Sequence, residues 1–169
     1  MSLSDLASLG SFVSGLAVLV SVVYLATQVR QGHRASRAQI HQNIVGGWCN
    51  ICDLVATNST AFTVGLTSSE KEFAAMSDAG KAEFMAVIFA QFKHYENSYL
   101  QFQEGFVRKE DWEAWANMAF MYFRTPGARH WWTLRRAAFS PSFVRFIEES
   151  HESSLPLITD IFSKVAGSV

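Results

Sequence analysis

Two cysteines, Cys49 and Cys52, have the spacing of redox-active and zinc-binding motifs. A thioredoxin-like redox site needs a βαβ setting, and a structural zinc site needs a second pair of ligands. The sequence shows neither feature. A helix through this region places both cysteines near Trp48 and Ile51. The sequence therefore favours two reduced cysteines in the core of a cytoplasmic domain.

A second spacing, Glu148-x-x-His151, matches the Glu-x-x-His motif of di-iron helical bundles. Such sites need two of these motifs and two further glutamates on facing helices. The other histidines, none of which follows a glutamate by three residues, are His33, His41, His94 and His130. We therefore expect no metal site and no cofactor.

Polar residues also interrupt a long apolar stretch at His94, Glu96 and Asn97. Buried polar groups are costly unless they are paired, and nearby arginines at 129, 135 and 136 are suitable partners for Glu96. The sequence predicts a buried polar network with the members His94, Glu96, Asn97, Tyr99, Arg129 and Arg135. The alternative is a ligand pocket around His94, Glu96, Tyr99 and Arg135.

The stretch 114–147 contains five arginines and no acidic residue. Trp132 and Arg136 share one helix face, and Arg129 lies one turn back from Trp132. This basic and aromatic face could rest on the inner leaflet, where anionic lipids attract arginine. The alternative is a core tryptophan with solvated arginines.

Other kinds of chemistry find little support in the sequence. The net charge of -1 argues against general nucleic-acid binding. No glycine-rich phosphate-binding loop is present, and the spacing of residues does not indicate a catalytic Ser/His/Asp or Cys/His set. We expect no catalytic residues, and the protein is more consistent with a non-enzymatic role.

The element that must organise these groups is the stretch Leu6–Val29, whose 24 residues include no Asp, Glu, Lys, Arg or His. A helix of this length reaches roughly 36 Å, which is enough to cross a hydrocarbon core of about 30 Å. We therefore predict a transmembrane helix at 6–29, a short N-terminal segment at 1–5 and a helical domain at 30–169. The leader lacks the positive charge of a signal peptide.

Arginines at 30, 34 and 37 follow this span, and no acidic residue lies between the end of the span and Asp53. By the positive-inside rule this flank is cytoplasmic. The predicted topology places the N-terminus outside and the C-terminal domain in the cytoplasm.

Small and weakly polar residues form a stripe along the predicted span. Small residues let helices approach closely in lipid, and hydroxyl groups can form hydrogen bonds across the contact. The stripe consists of Ala7, Gly10, Ser11, Ser14, Ala17, Ser21, Tyr24 and Gln28. It predicts association of the span with a second copy or with other membrane subunits. The alternatives are a simple anchor and a pore lined by Ser14, Ser21 and Gln28.

Helical patterns continue beyond the span, and no segment shows the alternation of a strand. The region 30–57 extends the first helix, with a buried stripe at Ile40, Ile44, Trp48, Ile51 and Val55. Residues 58–60 look like a loop, and Thr67–Glu70 has the spacing of a capping box. Further helices are predicted at 78–104, 108–124, 126–138, 141–152 and 155–165. The expected fold is all-α, a transmembrane helix followed by a cytoplasmic bundle of five or six helices.

Several strings in the C-terminal half are distinctive: Phe92-Lys93-His94-Tyr95-Glu96-Asn97, Pro126-Gly127 with Trp131-Trp132, and Phe139-Ser140-Pro141-x-Phe143. They resemble a pattern in uncharacterised bacterial proteins with one N-terminal transmembrane helix and a C-terminal helical domain. This resemblance implies the same architecture and a bacterial inner-membrane location. It implies no catalytic residue.

Three functions follow as hypotheses. The first is a membrane-anchored helical protein that self-associates or serves as an accessory or scaffold subunit of a membrane complex. The second is a ligand-binding sensor or small enzyme with a pocket in the bundle. The third is an oligomeric channel through the transmembrane helices. The lipid bilayer is the expected partner in all three.

Overall fold

The computed structural model describes residues 3–149, 155–158 and 160, and the side chains of these except residues 3 and 5–9. The described residues form α-helices and no strand, which confirms the all-α class. The helices are α1 (Leu3–Thr57), α2 (Ser59–Thr67), α3 (Glu70–Ala75), α4 (Asp78–Gln103), α5 (Lys109–Phe123), α6 (Pro126–Arg135) and α7 (Pro141–Glu149). A 3₁₀ turn, Arg136–Ala138, follows α6.

The contacts divide the chain into two compact units, Met1–Gln39 and Ile40–Val169. In the first unit the described residues belong to the single helix α1. The part of α1 from Gly10 onward is long enough and apolar enough to cross a membrane, judged by length and composition.

The second unit is built around α4, as its apolar face predicts. Phe84, Ile88, Phe92 and Tyr95 along this helix are all fully buried. Helices α2, α5 and α7 pack against α4. The C-terminal part of α1 joins this core through Ile44 and Ile51, in agreement with the predicted stripe.

Three predicted helix starts are confirmed. The Ser77 side chain accepts a hydrogen bond from Gly80 N at 3.1 Å, and α4 begins at the next residue. Thr125 accepts from Ala128 N before Pro126 opens α6. Pro141 opens α7. These starts were predictable because a capping side chain and a proline at the first helical position act locally.

Two local predictions were wrong. Residues 58–60 are not a loop, because α2 begins at Ser59. The capping box is not at Thr67–Glu70 but two residues later, where Ser69 and Glu72 exchange both hydrogen bonds. Thr67 instead ends α2, and its hydroxyl donates back to Thr63 O at 3.1 Å.

Helices α2 and α6 approach one another closely at two glycines. A Cβ atom added at Gly127 would overlap the backbone carbonyl group of Gly65. A Cβ atom at Gly65 would overlap the ring of Phe84 on α4. The two glycines thus allow α2 to pack between α4 and α6.

Candidate functional site

The uncharged part of α1 presents an unpartnered apolar surface. Every described side chain from Gly10 to Val29 is exposed. The large apolar members include Phe12 at 70% exposure, Val18 at 63% and Leu19 at 62%. A continuous exposed patch of this kind marks contact with a membrane or another protein.

The predicted stripe lies within this surface, and its described members are all exposed. The Ser21 hydroxyl donates to Ala17 O at 2.8 Å, and Gln28 Nε2 donates to the Tyr24 hydroxyl at 2.9 Å. These bonds satisfy polar hydrogens within the helix itself. The side chain of Ala7 lies outside the described residues.

A cluster of polar side chains in the domain centres on Glu96, which lies on α4 and is 6% exposed. Its carboxylate accepts a hydrogen bond from Ser140 N at 2.5 Å and pairs with Lys93 Nζ at 2.5 Å. Burial raises the pKa of Glu96, but the bonds from Lys93 and Ser140 outweigh it, so the pKa lies below its usual value. Lys93 also donates to Ala138 O at 3.0 Å. One carboxylate therefore ties α4 to the start of α7.

The predicted arginine partners of Glu96 were wrong. Arg129, Arg135 and Arg136 are exposed, and so is Asn97. Lys93 has the i, i+3 spacing that brings side chains together on one helix face, which was the available signal in the sequence. The Ser140 amide group comes from a distant part of the chain and gave no such signal.

His94 is half-buried and binds a different helix. Its Nε2 atom lies 3.0 Å from Ile44 O, so this nitrogen donates to the carbonyl group. Burial lowers the pKa of His94, and the bond to Ile44 offsets this only in part. The ring also packs edge-on against Trp48 at a centroid distance of 4.6 Å.

Tyr99 belongs to an aromatic cluster rather than a polar one. Its ring stacks on Phe146 at 5.0 Å and contacts Trp112 at 5.4 Å. His94, Glu96 and Tyr99 have separate partners, and Arg135 lies in a shallow groove beside Phe89. The described residues therefore do not form the predicted pocket around these four groups.

The predicted membrane-surface face was wrong for Trp132, which is 3% exposed. The indole Nε1 donates to Glu148 Oε1 at 3.0 Å, and Arg136 binds the same oxygen at 3.1 Å. These bonds lower the pKa of Glu148. A buried tryptophan cannot rest on a lipid surface, so only the exposed Arg129 and Arg136 remain from this face.

The two cysteines are free and exposed, so the prediction of core cysteines was wrong. They lie on α1 beside the buried Ile51, and Cys52 also lines a pocket together with Gln91. Among the described residues no group of three or more His, Cys, Asp and Glu side chains could hold a metal ion. The second half of the Glu148-x-x-His151 motif lies outside the described residues.

Comparison with protein-family models, curated proteins and solved structures gave no match.

Proposed function

We propose that this chain is a membrane-anchored helical protein whose span at 6–29 holds the domain at 30–169 on the cytoplasmic side of a bacterial inner membrane. The observation that carries the proposal is the exposure of the apolar side chains of α1 between Gly10 and Val29. A helix satisfies its own backbone hydrogen bonds, so such a surface suits the hydrocarbon interior of a bilayer.

The positive charge that follows the span supports the proposed orientation, with the domain in the cytoplasm. Arg30, Arg34 and Arg37 follow the apolar segment and are exposed. Positive residues beside a span are retained on the cytoplasmic side. Residues 1–5 would then lie outside the cytoplasm.

The small-residue stripe supports self-association, or association with other membrane subunits, as the role of the span. Ser14 and Ser21 lie one heptad apart on an exposed face of α1. Close helix contacts in lipid favour such residues. The protein would serve as an assembly, scaffold or accessory subunit.

Membrane integration is tested by alkaline extraction of bacterial membranes that contain the full chain. We expect the protein to stay in the membrane pellet. The variant Leu16→Arg/Val20→Arg should move to the soluble fraction, because each central arginine costs about 2.5–3.5 kcal/mol on insertion. Release of the unaltered chain by alkali would contradict the anchor.

Orientation is tested with the two native cysteines, which are exposed in the domain. A membrane-impermeant maleimide should label Cys49 and Cys52 only after the inner membrane is opened. In a variant with serine at both positions, a cysteine introduced by Ser4→Cys should react in intact spheroplasts. The opposite labelling pattern would contradict the topology.

Self-association is tested by chemical crosslinking and native mass measurement in mild detergent. Ser14→Leu and Ser21→Leu should reduce the oligomer. Leu16→Ile and Val23→Leu are matched controls on the opposite side of the helix, and they should leave the oligomer intact. A monomer that none of these variants changes would contradict association through the stripe.

A further inference from the structure

A small pocket opens in the domain between α1, α4 and α5. It has a volume of about 220 Å³. Its lining residues are Trp48, Ile51, Cys52, Val55, Ala56, Gln91, Met118 and Tyr122. Cys52 and Ala56 are exposed and mark its mouth, whereas Gln91 is 2% exposed and marks its floor.

Two polar atoms of the lining residues lack a partner. Gln91 Oε1 is buried without a hydrogen bond, and so is Trp48 Nε1. The other end of the Gln91 amide makes a long bond of 3.5 Å to the Tyr95 hydroxyl and also interacts with the Tyr122 hydroxyl. A buried acceptor without a donor costs about 1–3 kcal/mol, so Gln91 is poorly satisfied by the protein itself.

The residues around Gln91 Oε1 determine which kind of ligand could donate a hydrogen bond to this atom. The lining residues include no Asp, Glu, Lys, Arg or His. Burial raises the pKa of Tyr122, so its hydroxyl stays protonated at neutral pH. A charged ligand would lose its hydration without gaining a counter-charge. A cavity of about 150 Å³ accommodates benzene, and drug-sized ligands occupy about 300–1,000 Å³. The fitting occupant is therefore neutral and about the size of a single substituted ring.

We infer that this pocket binds a small neutral ring compound whose hydroxyl or N–H group donates a hydrogen bond to Gln91 Oε1. The apolar side chains of Ile51, Val55 and Met118 hold the ring. The inference concerns the domain alone and stands independently of the proposed membrane anchor.

The probes are p-cresol and p-xylene, which differ by one hydroxyl group in place of a methyl group. Binding to the full chain in detergent is followed by the NMR shift of the Trp48 indole N–H, assigned with Trp48→Phe. We expect p-cresol to bind about tenfold more tightly than p-xylene, the factor that one satisfied buried acceptor supplies.

The matched variant is Gln91→Leu, which keeps the side-chain size and removes the unpartnered acceptor. Because the change also removes the long bond to the buried Tyr95 hydroxyl, near-UV circular dichroism first checks that this variant keeps the parent fold. The preference for p-cresol should disappear in this variant. The two probes partition into detergent to the same extent with the parent protein and with Gln91→Leu, so partitioning cancels when these proteins are compared.

The cysteines provide a second measurement. In Cys49→Ser, p-cresol should slow the reaction of Cys52 with a maleimide, since Cys52 lines the mouth. In Cys52→Ser the rate for Cys49, three residues away and outside the pocket, should not change. The inference is overturned if p-cresol causes no saturable change in the NMR shift of the Trp48 indole N–H. That result is expected if Gln91 binds only ordered water. The inference is also overturned if the two probes bind equally, or if Gln91→Leu keeps the preference.

Discussion

The imidazole ring of His94 fills the space that a side chain at Gly47 would need. A Cβ atom at Gly47 would overlap this ring, whereas a Cβ atom at the neighbouring Gly46 would have no other atom within 4 Å. The close approach lets His94 donate to Ile44 O, and this bond joins α4 to α1. Gly47 is thus the residue that permits this helix contact.

The first prediction compares Gly47→Ala with Gly46→Ala. Both changes gain helix propensity, by up to about 1 kcal/mol, but only Gly47→Ala displaces His94. We expect Gly47→Ala to be less stable than Gly46→Ala by about 1–3 kcal/mol, the usual range for overpacking. The thermal midpoint of the full chain in detergent, followed by near-UV circular dichroism, measures this. Equal midpoints would show that the His94 ring moves away at no cost.

The second prediction concerns pH. Burial lowers the pKa of His94 from its ordinary value of 6.5, so the unfolded chain takes up this proton first. The contribution of His94 to the free energy of unfolding is therefore complete above pH 6.5. It is lost as the pH falls towards the lower pKa of His94 in the folded protein. We expect the midpoint to decrease between pH 7 and pH 5.

The control for this pH dependence is His94→Gln, which keeps a side-chain N–H donor and does not titrate. This variant should show a smaller decrease over the same pH range. An identical pH profile would assign the effect to groups other than His94.

The third prediction concerns Glu96→Gln. The change removes the charge that binds Lys93 and weakens the bond from Ser140 N, and we expect a loss of about 1–2 kcal/mol. Glu148→Gln is the control, because Glu148 also has two partners but its side chain is 38% exposed. It should cost less than about 1 kcal/mol. Chemical denaturation of both variants distinguishes these values, and equal losses would contradict a special role for Glu96.

The fourth prediction concerns Gly127→Ala. The new Cβ atom would overlap the backbone carbonyl group of Gly65, which cannot turn aside as a side chain can. We expect a loss of about 3 kcal/mol, at the upper end of the overpacking range. Arg129→Ala, an exposed change on the same helix, should stay within about 0.5 kcal/mol of the parent. A fully stable Gly127→Ala protein would mean that α2 and α6 can separate freely.

Local patterns predicted much of the helical architecture. Ser77, Thr125-Pro126 and Pro141 marked helix starts because caps and prolines act on their own turn of the chain. The apolar residues Phe84, Ile88, Phe92 and Tyr95 follow helical spacing along α4, and all four are buried. Helix α2 was not predicted, since Asn58, Ser59 and Thr60 have loop composition and the helix depends on packing through Gly65.

Contacts between distant residues were the main source of error. The sequence contained several cations that could pair with Glu96, and the i, i+3 spacing of Lys93 was the one local signal that favoured it over the arginines. Trp132 was assigned either to a lipid surface or to the core, and the packing of α6 against its neighbours decided for the core. The Gln91 pocket gave no sequence signal, because its walls come from three separate helices.

The sequence by itself determined most of the helices and the uncharged segment from Leu6 to Val29, because charge, capping and periodicity act over a few residues. The tertiary structure alone decided which polar groups are paired, where Gly47, Gly65 and Gly127 allow close approach, and which buried acceptor remains without a donor. These features depend on which surfaces meet, and packing between helices fixes that only when the whole domain is folded.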